Sequence, residues 1–302
     1  MLAIVESPYQ LQNTLSLLKH LSVEKEHTIV FIRDNGNQEQ MEQFLKMLDS
    51  EKAIYFYLPI SGLSKIPRLV YFYFKYIKSF FTQKKFIFGD ARSLVCRPMF
   101  KLSKYFGKEI YLVDDGLYLI SYIDRLKNFP CFLYTSLPIK ANDRDKFKVV
   151  LQEDEKFDTY QSNSSVSFIG QHLVELNFIG IDNYLKVLAN VKALFEVDHK
   201  NFIYYAHRNE SNDKLSKVKR LGFQVLRLDC NIEQYFRKNS ASKGIFISYY
   251  STALYNIFKS HESSVFYCCD DFLDFQKMKS SDSVKLCYEM FNRAGIEKLT
   301  FV

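Results

Sequence analysis

Short apolar runs alternate with amphipathic segments along nearly the whole chain, and this alternation constrains the fold most. In the first half we predict strands at 2–5, 27–32, 53–57, 85–88 and 109–113. The intervening helices are predicted at about 9–22, 37–48, 66–82 and 93–105. Strands separated by single helices are typical of a parallel sheet in an α/β protein. Residues 117–160 are less regular, and the charged stretch 140–158 is predicted to be partly a solvated connection.

A second alternating series begins at "VSFIG", where Gly170 ends a predicted strand. Further strands are predicted at 201–206, 223–228, 244–249 and 263–268. Helices are predicted at about 182–195, 211–220, 232–238 and 252–259, and a closing helix in "SVKLCYEMFNRAGI". Two series of similar size predict two Rossmann-like domains facing a central cleft, residues 1–160 and 161–302. Whether the last helix packs back on the first domain stays open.

Length and composition agree with this organisation. A chain of 302 residues is long enough for two medium domains, and 47% hydrophobic with 25% charged residues argues against disorder. The net charge of +7 favours an anionic partner without choosing among nucleic acid, lipid and small molecules. Six cysteines without CxxC spacing are typical of reduced thiols in a cytosolic protein. Neither a secretory leader nor a membrane-spanning segment is predicted.

Ligands of parallel α/β sheets bind at the carboxyl ends of the strands, so the residues after each strand are the candidates. In "IYLVDDGLY", strand 109–113 ends at Asp114, Asp115 and Gly116. Adjacent carboxylates raise each other's pKa, so one can serve as a general base while the other orients it. Gly116 allows a sharp turn. An Asp-Gly turn that merely caps a helix is the alternative interpretation.

The first strand ends on a stiff polar turn, "ESPYQ", with Ser7, Pro8, Tyr9 and Gln10. Pro8 suits the first turn of a helix. At the end of a strand, this turn is placed to face a ligand. Simple capping by Ser7 is the alternative.

Two strand ends in the second half carry groups suited to phosphate. In "NFIYYAHRNES", Arg208 can pair with an anion, and His207 can donate to a phosphate or act as an acid. In "GIFISYYSTALYNIF", the hydroxyls of Ser251 and Thr252 meet a helix N-terminus, whose free amides cradle anions. A surface histidine and plain N-capping are the alternatives.

Gly170 and Gln171 follow a further strand. Gln171 can bind a base or a sugar, and a simple strand–helix turn is the alternative interpretation.

Missing motifs argue against several classes of protein. There is no P-loop or GxGxxG motif for nucleotides, no HExxH motif or Cys/His cluster for zinc, and no GxSxG motif of a hydrolase. Asp143-Arg144-Asp145 matches a metal-binding DxD pattern, but it lies in a Lys-rich stretch that favours a solvated surface.

These motifs together resemble the bacterial sialyltransferases of lipooligosaccharide and capsule, and the related polysialyltransferases. Those families share an acidic-acidic-Gly motif, a His-Pro motif and a Ser/Thr motif in this order. Here they correspond to Asp114-Asp115-Gly116, His207-Arg208 and Ser251-Thr252, with Arg208 in place of the usual Pro. "FIGQHLVELNFIGIDNYLKVL" resembles the segment that opens the donor domain, and "IVESPYQLQ" resembles the turn after strand one.

The resemblance implies the GT-B architecture, a CMP-activated nonulosonic acid such as sialic acid as donor, and inversion at the anomeric carbon without metal or other cofactor. Asp115, or alternatively Asp114, would deprotonate a hydroxyl of a surface glycan, and His207 would assist the CMP leaving group. The donor site would hold Gly170, Gln171, Arg208, Ser251 and Thr252. On the acceptor side, the turn of Ser7, Pro8, Tyr9 and Gln10 would neighbour Asp115 and Gly116, and Ser7, Tyr9 or Gln10 would reach the acceptor or the donor sugar. The family also includes dimers, so a homodimer is compatible with it.

Two other functions stay open at this point: a GT-B transferase using another nucleotide sugar, and a non-catalytic nucleotide-binding α/β protein. A nucleic-acid partner is not expected, because no known nucleic-acid motif is present. The basic, aromatic stretch 67–85 is either a helix lying on the inner, cytoplasmic face of an anionic membrane or a core helix with a basic wet face. The expected location is the bacterial cytoplasm, with peripheral membrane contact in the first case.

Overall fold

The computed structural model describes residues 1–23, 28–48, 53–59, 65–152, 165–198, 201–238, 244–261, 264–278 and 281–301, without the side chains of 118, 121, 237 and 238. The chain divides into two compact units, Met1–Glu153 and Asp154–Val302. The predicted boundary between residues 160 and 161 lies outside the described residues.

The first unit is a parallel α/β sheet with helices between its strands. Its strands are β1 (Leu2–Val5), β2 (Ile29–Asp34), β3 (Ala53–Tyr57), β4 (Lys85–Phe88), β5 (Glu109–Val113), β6 (Phe132–Thr135) and β7 (Lys148–Leu151). Its helices are α1 (Pro8–His20), α2 (Gln38–Met47), α3 (Lys65–Thr82), α4 (Cys96–Tyr105) and α5 (Ile123–Leu126), with a 3₁₀ segment at Gly116–Tyr122. The strand order is β3-β2-β1-β4-β5-β6-β7.

The second unit repeats this architecture. Its strands are β8 (Ser165–Ile169), β9 (Asn201–Ala206), β10 (Gln224–Arg227), β11 (Gly244–Ser248), β12 (Val265–Cys269) and β13 (Glu297–Leu299). Its helices are α6 (Ile181–Phe195), α7 (Asn212–Arg220), α8 (Ile232–Lys238), α9 (Thr252–Ser260) and α10 (Ser281–Ala294). The six strands are parallel in the order β10-β9-β8-β11-β12-β13. The closing helix α10 packs in this unit, where Tyr288 donates to the carbonyl of Cys269 at 2.8 Å.

All ten predicted strands and nine predicted helices are confirmed, but β6, β7 and β13 were not predicted. Strand β7 lies inside the stretch expected to be a solvated connection, so that expectation was wrong for Lys148–Leu151. Both β7 and β13 are edge strands with partly or fully exposed residues. The apolar run of β7 is only Val149–Leu151 after an exposed lysine, and β13 has a single apolar residue, Leu299. The strand β6 lies in the stretch 117–160, whose pattern is less regular than the rest of the chain.

The strand order places one topological switch point in each sheet. There two neighbouring parallel strands are followed by connections to opposite sides of the sheet. In the first unit it lies between β1 and β4, and in the second between β8 and β11. Crevices outside the carboxyl ends of such strands are the usual ligand sites of parallel α/β sheets. The turn at Ser7, and the residues Gly170, Gln171 and Ser251, therefore lie beside switch points.

Helix α3 packs on the first sheet through one face only. Phe72 stacks on Phe56 at 4.2 Å between ring centroids and meets Phe31 edge-on at 5.5 Å. The interpretation of this stretch as a core helix is therefore correct for the inner face. The outer face is not simply a basic wet face, because large apolar side chains are exposed on it as well.

Candidate functional site

A carboxylate held between an amide and a guanidinium lies at the carboxyl end of β5. Asp115 Oδ1 accepts a hydrogen bond from Gln10 Nε2 at 2.6 Å, and Asp115 Oδ2 accepts one from Arg92 Nη2 at 2.9 Å. The Asp115 side chain is 25% exposed. It is therefore fixed in orientation and still accessible from solvent.

The surroundings of Asp115 tune its proton affinity. Burial raises the pKa of Asp115 to about 7, and the negative charge of Asp90 contributes to the rise. The hydrogen bond from Gln10 and the positive charge of Arg92 oppose it. A carboxyl group with a pKa near neutrality suits general-base catalysis, because a substantial fraction is ionised at physiological pH and the carboxylate is still basic enough to take a proton.

Two residues of this cluster, Asp90 and Arg92, were not selected from the sequence. Arg92 binds Asp90 in a bidentate manner, with 2.8 Å from Nε to Oδ1 and 3.1 Å from Nη2 to Oδ2. This contact holds the guanidinium against Asp115. Asp90 follows β4 after a single glycine, so extending the strand-end argument to β4 would have found it.

The carboxylate of Asp114 is engaged in hydrogen bonds inside the fold. Its side chain is fully buried, with Oδ1 accepting the Gly116 N–H at 2.6 Å and Oδ2 accepting the Thr135 hydroxyl at 2.7 Å. Gly116 has φ +77°, a conformation that strongly favours glycine. The alternative assignment of Asp114 as the base is therefore not supported, because its carboxylate is occupied in holding the turn that presents Asp115.

The polar turn after β1 begins helix α1. Ser7 is its N-cap, with Oγ accepting the Gln10 N–H at 3.2 Å, and Pro8 is the first helical residue. Pro8 is buried and Tyr9 is half-buried. The capping interpretation of Ser7 is thus confirmed, and contact of Ser7, Pro8 and Tyr9 with an acceptor stays a prediction.

Gln10 connects this turn to the candidate base. Its Oε1 accepts the Glu6 N–H at 2.7 Å while its Nε2 donates to Asp115. The prediction that the turn neighbours Asp115 is confirmed. The expectation that Gln10 reaches a sugar is not supported, because the side chain is buried and both amide atoms are engaged within the fold.

In the second unit, His207 follows β9 and stacks on His172, with ring centroids 4.5 Å apart and planes 18° from parallel. Its Nδ1 accepts the Asn209 N–H at 3.2 Å, so the proton of the neutral ring lies on Nε2. Burial lowers the pKa of His207 to about 3, and the charges of His172, Arg208 and Lys214 lower it further. At neutral pH, His207 is thus a neutral hydrogen-bond donor through Nε2.

A buried ion pair supports the turn that carries His207. Glu210 Oε2 accepts the His207 N–H at 2.7 Å, and Glu210 Oε1 accepts the Tyr204 hydroxyl at 2.6 Å. Lys214 Nζ lies 2.5 Å from Glu210 Oε1 and donates to the Gln171 carbonyl at 2.8 Å. This pair was not predicted, because Glu210 precedes Ser211, the N-cap of α7, and so lies outside the helical pattern that contains Lys214.

The same network explains Gly170. A Cβ at this position would lie 2.6 Å from both Glu210 Oε2 and the Tyr204 hydroxyl oxygen, closer than packed atoms approach. Glycine is therefore needed here for packing, and contact of its backbone with a donor stays a prediction.

The switch point of the second sheet brings Gln171 and α9 together. Gln171 Nε2 donates to the Tyr250 carbonyl at 3.4 Å, while its buried Oε1 has no hydrogen-bond partner in the described part of the chain. Ser251 is the N-cap residue of α9, but its side chain forms no capping hydrogen bond, and Thr252 begins the helix. Plain N-capping by the Ser251 side chain is therefore not observed.

His172 belongs to this group, although its sequence context did not predict it as a site residue. It follows Gln171 directly beyond β8, and burial lowers the pKa of its imidazole. Arg208 is half-buried beside His207.

The DxD match lies in a surface turn, as predicted. Asp143 is exposed, and Asp145 accepts the Asn142 N–H at 2.8 Å.

Comparisons with known proteins show the fold. No protein-family model and no curated protein matches the sequence. Among solved structures, a complex of S. aureus MnaA with UDP matches with TM-score 0.55 and 12% identity, over 97% of this chain and 89% of that one. Acinetobacter baumannii MurG matches with TM-score 0.54 and 10% identity, over 99% and 84% of the two chains.

The GT-B domain of a sialyltransferase from Photobacterium damselae matches with TM-score 0.53 and 11% identity, over 99% of this chain and all of that domain. The chain therefore has the predicted GT-B architecture of two Rossmann-like units. None of the helices in the described residues is long and apolar enough to cross a membrane.

Proposed function

We propose that this protein is an inverting glycosyltransferase that moves sialic acid or a related nonulosonic acid from its CMP-activated form to a hydroxyl of a surface glycan. The observation that carries the proposal is Asp115, an oriented carboxylate with a pKa near 7 at the carboxyl end of β5. The CMP donor rests on the three sequence motifs, which resemble those of bacterial sialyltransferases.

In this reaction Asp115 takes the proton from the acceptor hydroxyl as its oxygen attacks the anomeric carbon, and the bond from that carbon to the CMP phosphate oxygen breaks. The phosphate leaves with negative charge. His207 donates to it through Nε2–H, and the amides at the start of α9 with the hydroxyls of Ser251 and Thr252 hold its charge. Since these donors neutralise the phosphate, no metal is required.

Nucleotide binding tests the donor class most directly. We expect CMP to raise the melting temperature, with an increase in unfolding free energy of about 2.7 kcal/mol when CMP is at about 100 times its Kd. UDP and GDP should give no comparable shift. Differential scanning fluorimetry with the three nucleotides, with and without EDTA, measures this.

The outcomes separate the candidate functions. Stabilisation by UDP or GDP instead of CMP would assign the protein to another class of nucleotide-sugar transferase, and stabilisation lost in EDTA would contradict the metal-free mechanism. CMP binding without CMP release from CMP-sialic acid, tested with a lipooligosaccharide acceptor, would favour a non-catalytic nucleotide-binding protein.

A second prediction concerns His207 as a neutral donor. His207→Ala should weaken CMP binding by about 10- to 100-fold, because a hydrogen bond to a charged group contributes roughly 1.5–3 kcal/mol. His207→Gln keeps an N–H donor and should retain part of the affinity. Isothermal titration with CMP measures both variants.

The exposed His20 of the first unit provides the matched control, since His20→Ala should leave CMP affinity unchanged. The affinity ratio between wild type and His207→Ala should be constant from pH 6 to 8, because the ring is neutral throughout that range when its pKa is about 3. A ratio that changes steeply in that range would contradict the neutral-donor role.

A further inference from the structure

The solvent-facing side of α3 carries a stripe of large apolar side chains. Phe74 is 81% exposed and Ile66 72%, and Val70, Ile77 and Phe81 are exposed on the same side. Their spacing of three or four residues puts them on one face of the helix. This face is opposite the one through which Phe72 and Phe80 pack on the sheet.

The apolar stripe continues onto the end of α4. Phe81 meets Phe106 edge-on at 5.5 Å between ring centroids, and Tyr105 is 83% exposed. A crevice of about 190 Å³ between the two helices is lined by α3 aromatics and by Pro98, Met99 and Leu102. We call this surface, formed by α3 and α4, the α3–α4 face.

The chain segment that forms the α3–α4 face is strongly basic. Residues 65–108 contain eleven Lys or Arg and one Asp, a net charge of +10, whereas the whole chain carries +7 and the remaining residues together are net negative by 3. In the described part of the chain, Arg68, Lys75 and Lys78 form no ion pair with a carboxylate. The positive charge of the protein is thus concentrated where its apolar side chains are exposed.

From this coincidence we infer that the α3–α4 face docks on an anionic phospholipid bilayer. Apolar side chains would enter the boundary between headgroups and acyl chains, while the lysines and arginines at their edge bind lipid phosphates. A second copy of the chain is a poorer occupant, because two basic faces of the same sign repel each other. An amphipathic helix such as α3 can bind in the plane of the membrane surface without any segment that crosses the bilayer.

Vesicle flotation of the full chain tests this inference. The protein should float with vesicles of phosphatidylcholine and phosphatidylglycerol, remain in solution with phosphatidylcholine alone, and dissociate at high salt, which screens exposed charges. Equal binding to both kinds of vesicle, or binding to neither, would overturn the inference.

Point variants locate the contact. Phe74→Ser should reduce the partition coefficient several-fold, and Lys78→Glu should reduce it about tenfold, since one lysine near an anionic surface contributes roughly 1 kcal/mol. Val197→Ser and Lys219→Glu, exposed positions of the second unit, are the matched controls and should bind like the wild type. Unchanged binding in both α3 variants would exclude this face.

Two further measurements complete the test. Asp115→Asn should float like the wild type, so membrane docking and the proposed transferase activity succeed or fail separately. Light scattering without lipid should give a molecular mass that Phe74→Ser does not change. An oligomer that this variant dissociates would overturn the inference in favour of contact between copies of the chain.

Discussion

Asp115→Asn should lower kcat for CMP release from CMP-sialic acid by about 10²–10⁴-fold, the range that a general base contributes. The substitution keeps the size of the side chain and an acceptor for Gln10 Nε2, but it removes the group that takes the proton. CMP affinity should stay within about twofold, because the proposed phosphate donors belong to the second unit. Steady-state kinetics and CMP titration on the same preparations measure both quantities.

The pH profile distinguishes a base from a residue that only shapes the site. A pKa of about 7 for Asp115 means that activity should rise with pH through neutrality as the carboxyl group ionises, and fall at lower pH as it is protonated. Arg92→Gln removes a positive neighbour, so the profile should move to higher pH. Asp90→Asn removes a negative neighbour and should move it to lower pH.

The two variants control for each other, because Arg92 and Asp90 belong to the same hydrogen-bonded cluster around Asp115. A purely structural disturbance would lower activity in both variants without moving the profile in opposite directions. Full activity in Asp115→Asn, or a profile insensitive to both neighbours, would contradict the assignment of the base.

Much of the fold could be predicted from the sequence because buried parallel strands give distinct apolar runs. Leu2–Val5 and Ser165–Ile169 are buried throughout and were predicted within one residue. The strands β7 and β13 lie at sheet edges, where exposed lysines and glutamate replace the apolar residues of a central strand. Which face of α3 packs on the sheet could not be predicted, because aromatic side chains occur around most of that helix.

Strand ends predicted the location of the candidate site but not the different contacts of its two aspartates. Asp114 and Asp115 are adjacent and chemically identical, and only the tertiary contacts assign Asp114 to Thr135 and Asp115 to Arg92. Gln10 and Asp115 are 105 positions apart, so their hydrogen bond depends on the placement of β1 and β5 on either side of β4. Strand ends predicted that the turn after β1 neighbours Asp115, but not which of its side chains contacts the carboxylate.

Lys214→Met should lower the free energy of unfolding by about 3–5 kcal/mol, because it leaves the carboxylate of Glu210 buried without its ion-pair partner. The two side chains are 1% and 0% exposed, and Lys214 Nζ also lies 3.8 Å from the centroid of the Tyr184 ring. Burial raises the pKa of Glu210 and lowers that of Lys214, while their mutual attraction opposes both shifts. Urea unfolding measures the loss.

The same helix supplies the control. Lys217 pairs with Asp213 at 2.7 Å with the same spacing of four residues. The Lys217 side chain is 35% and the Asp213 side chain 76% exposed, so Lys217→Met should cost less than about 1 kcal/mol. Glu210→Gln combined with Lys214→Met removes both buried charges and should recover much of the stability. Because Glu210 accepts the His207 N–H, Lys214→Met should also weaken CMP binding where Lys217→Met does not. Equal destabilisation by the two lysine variants would show that burial does not set the strength of the Glu210–Lys214 pair.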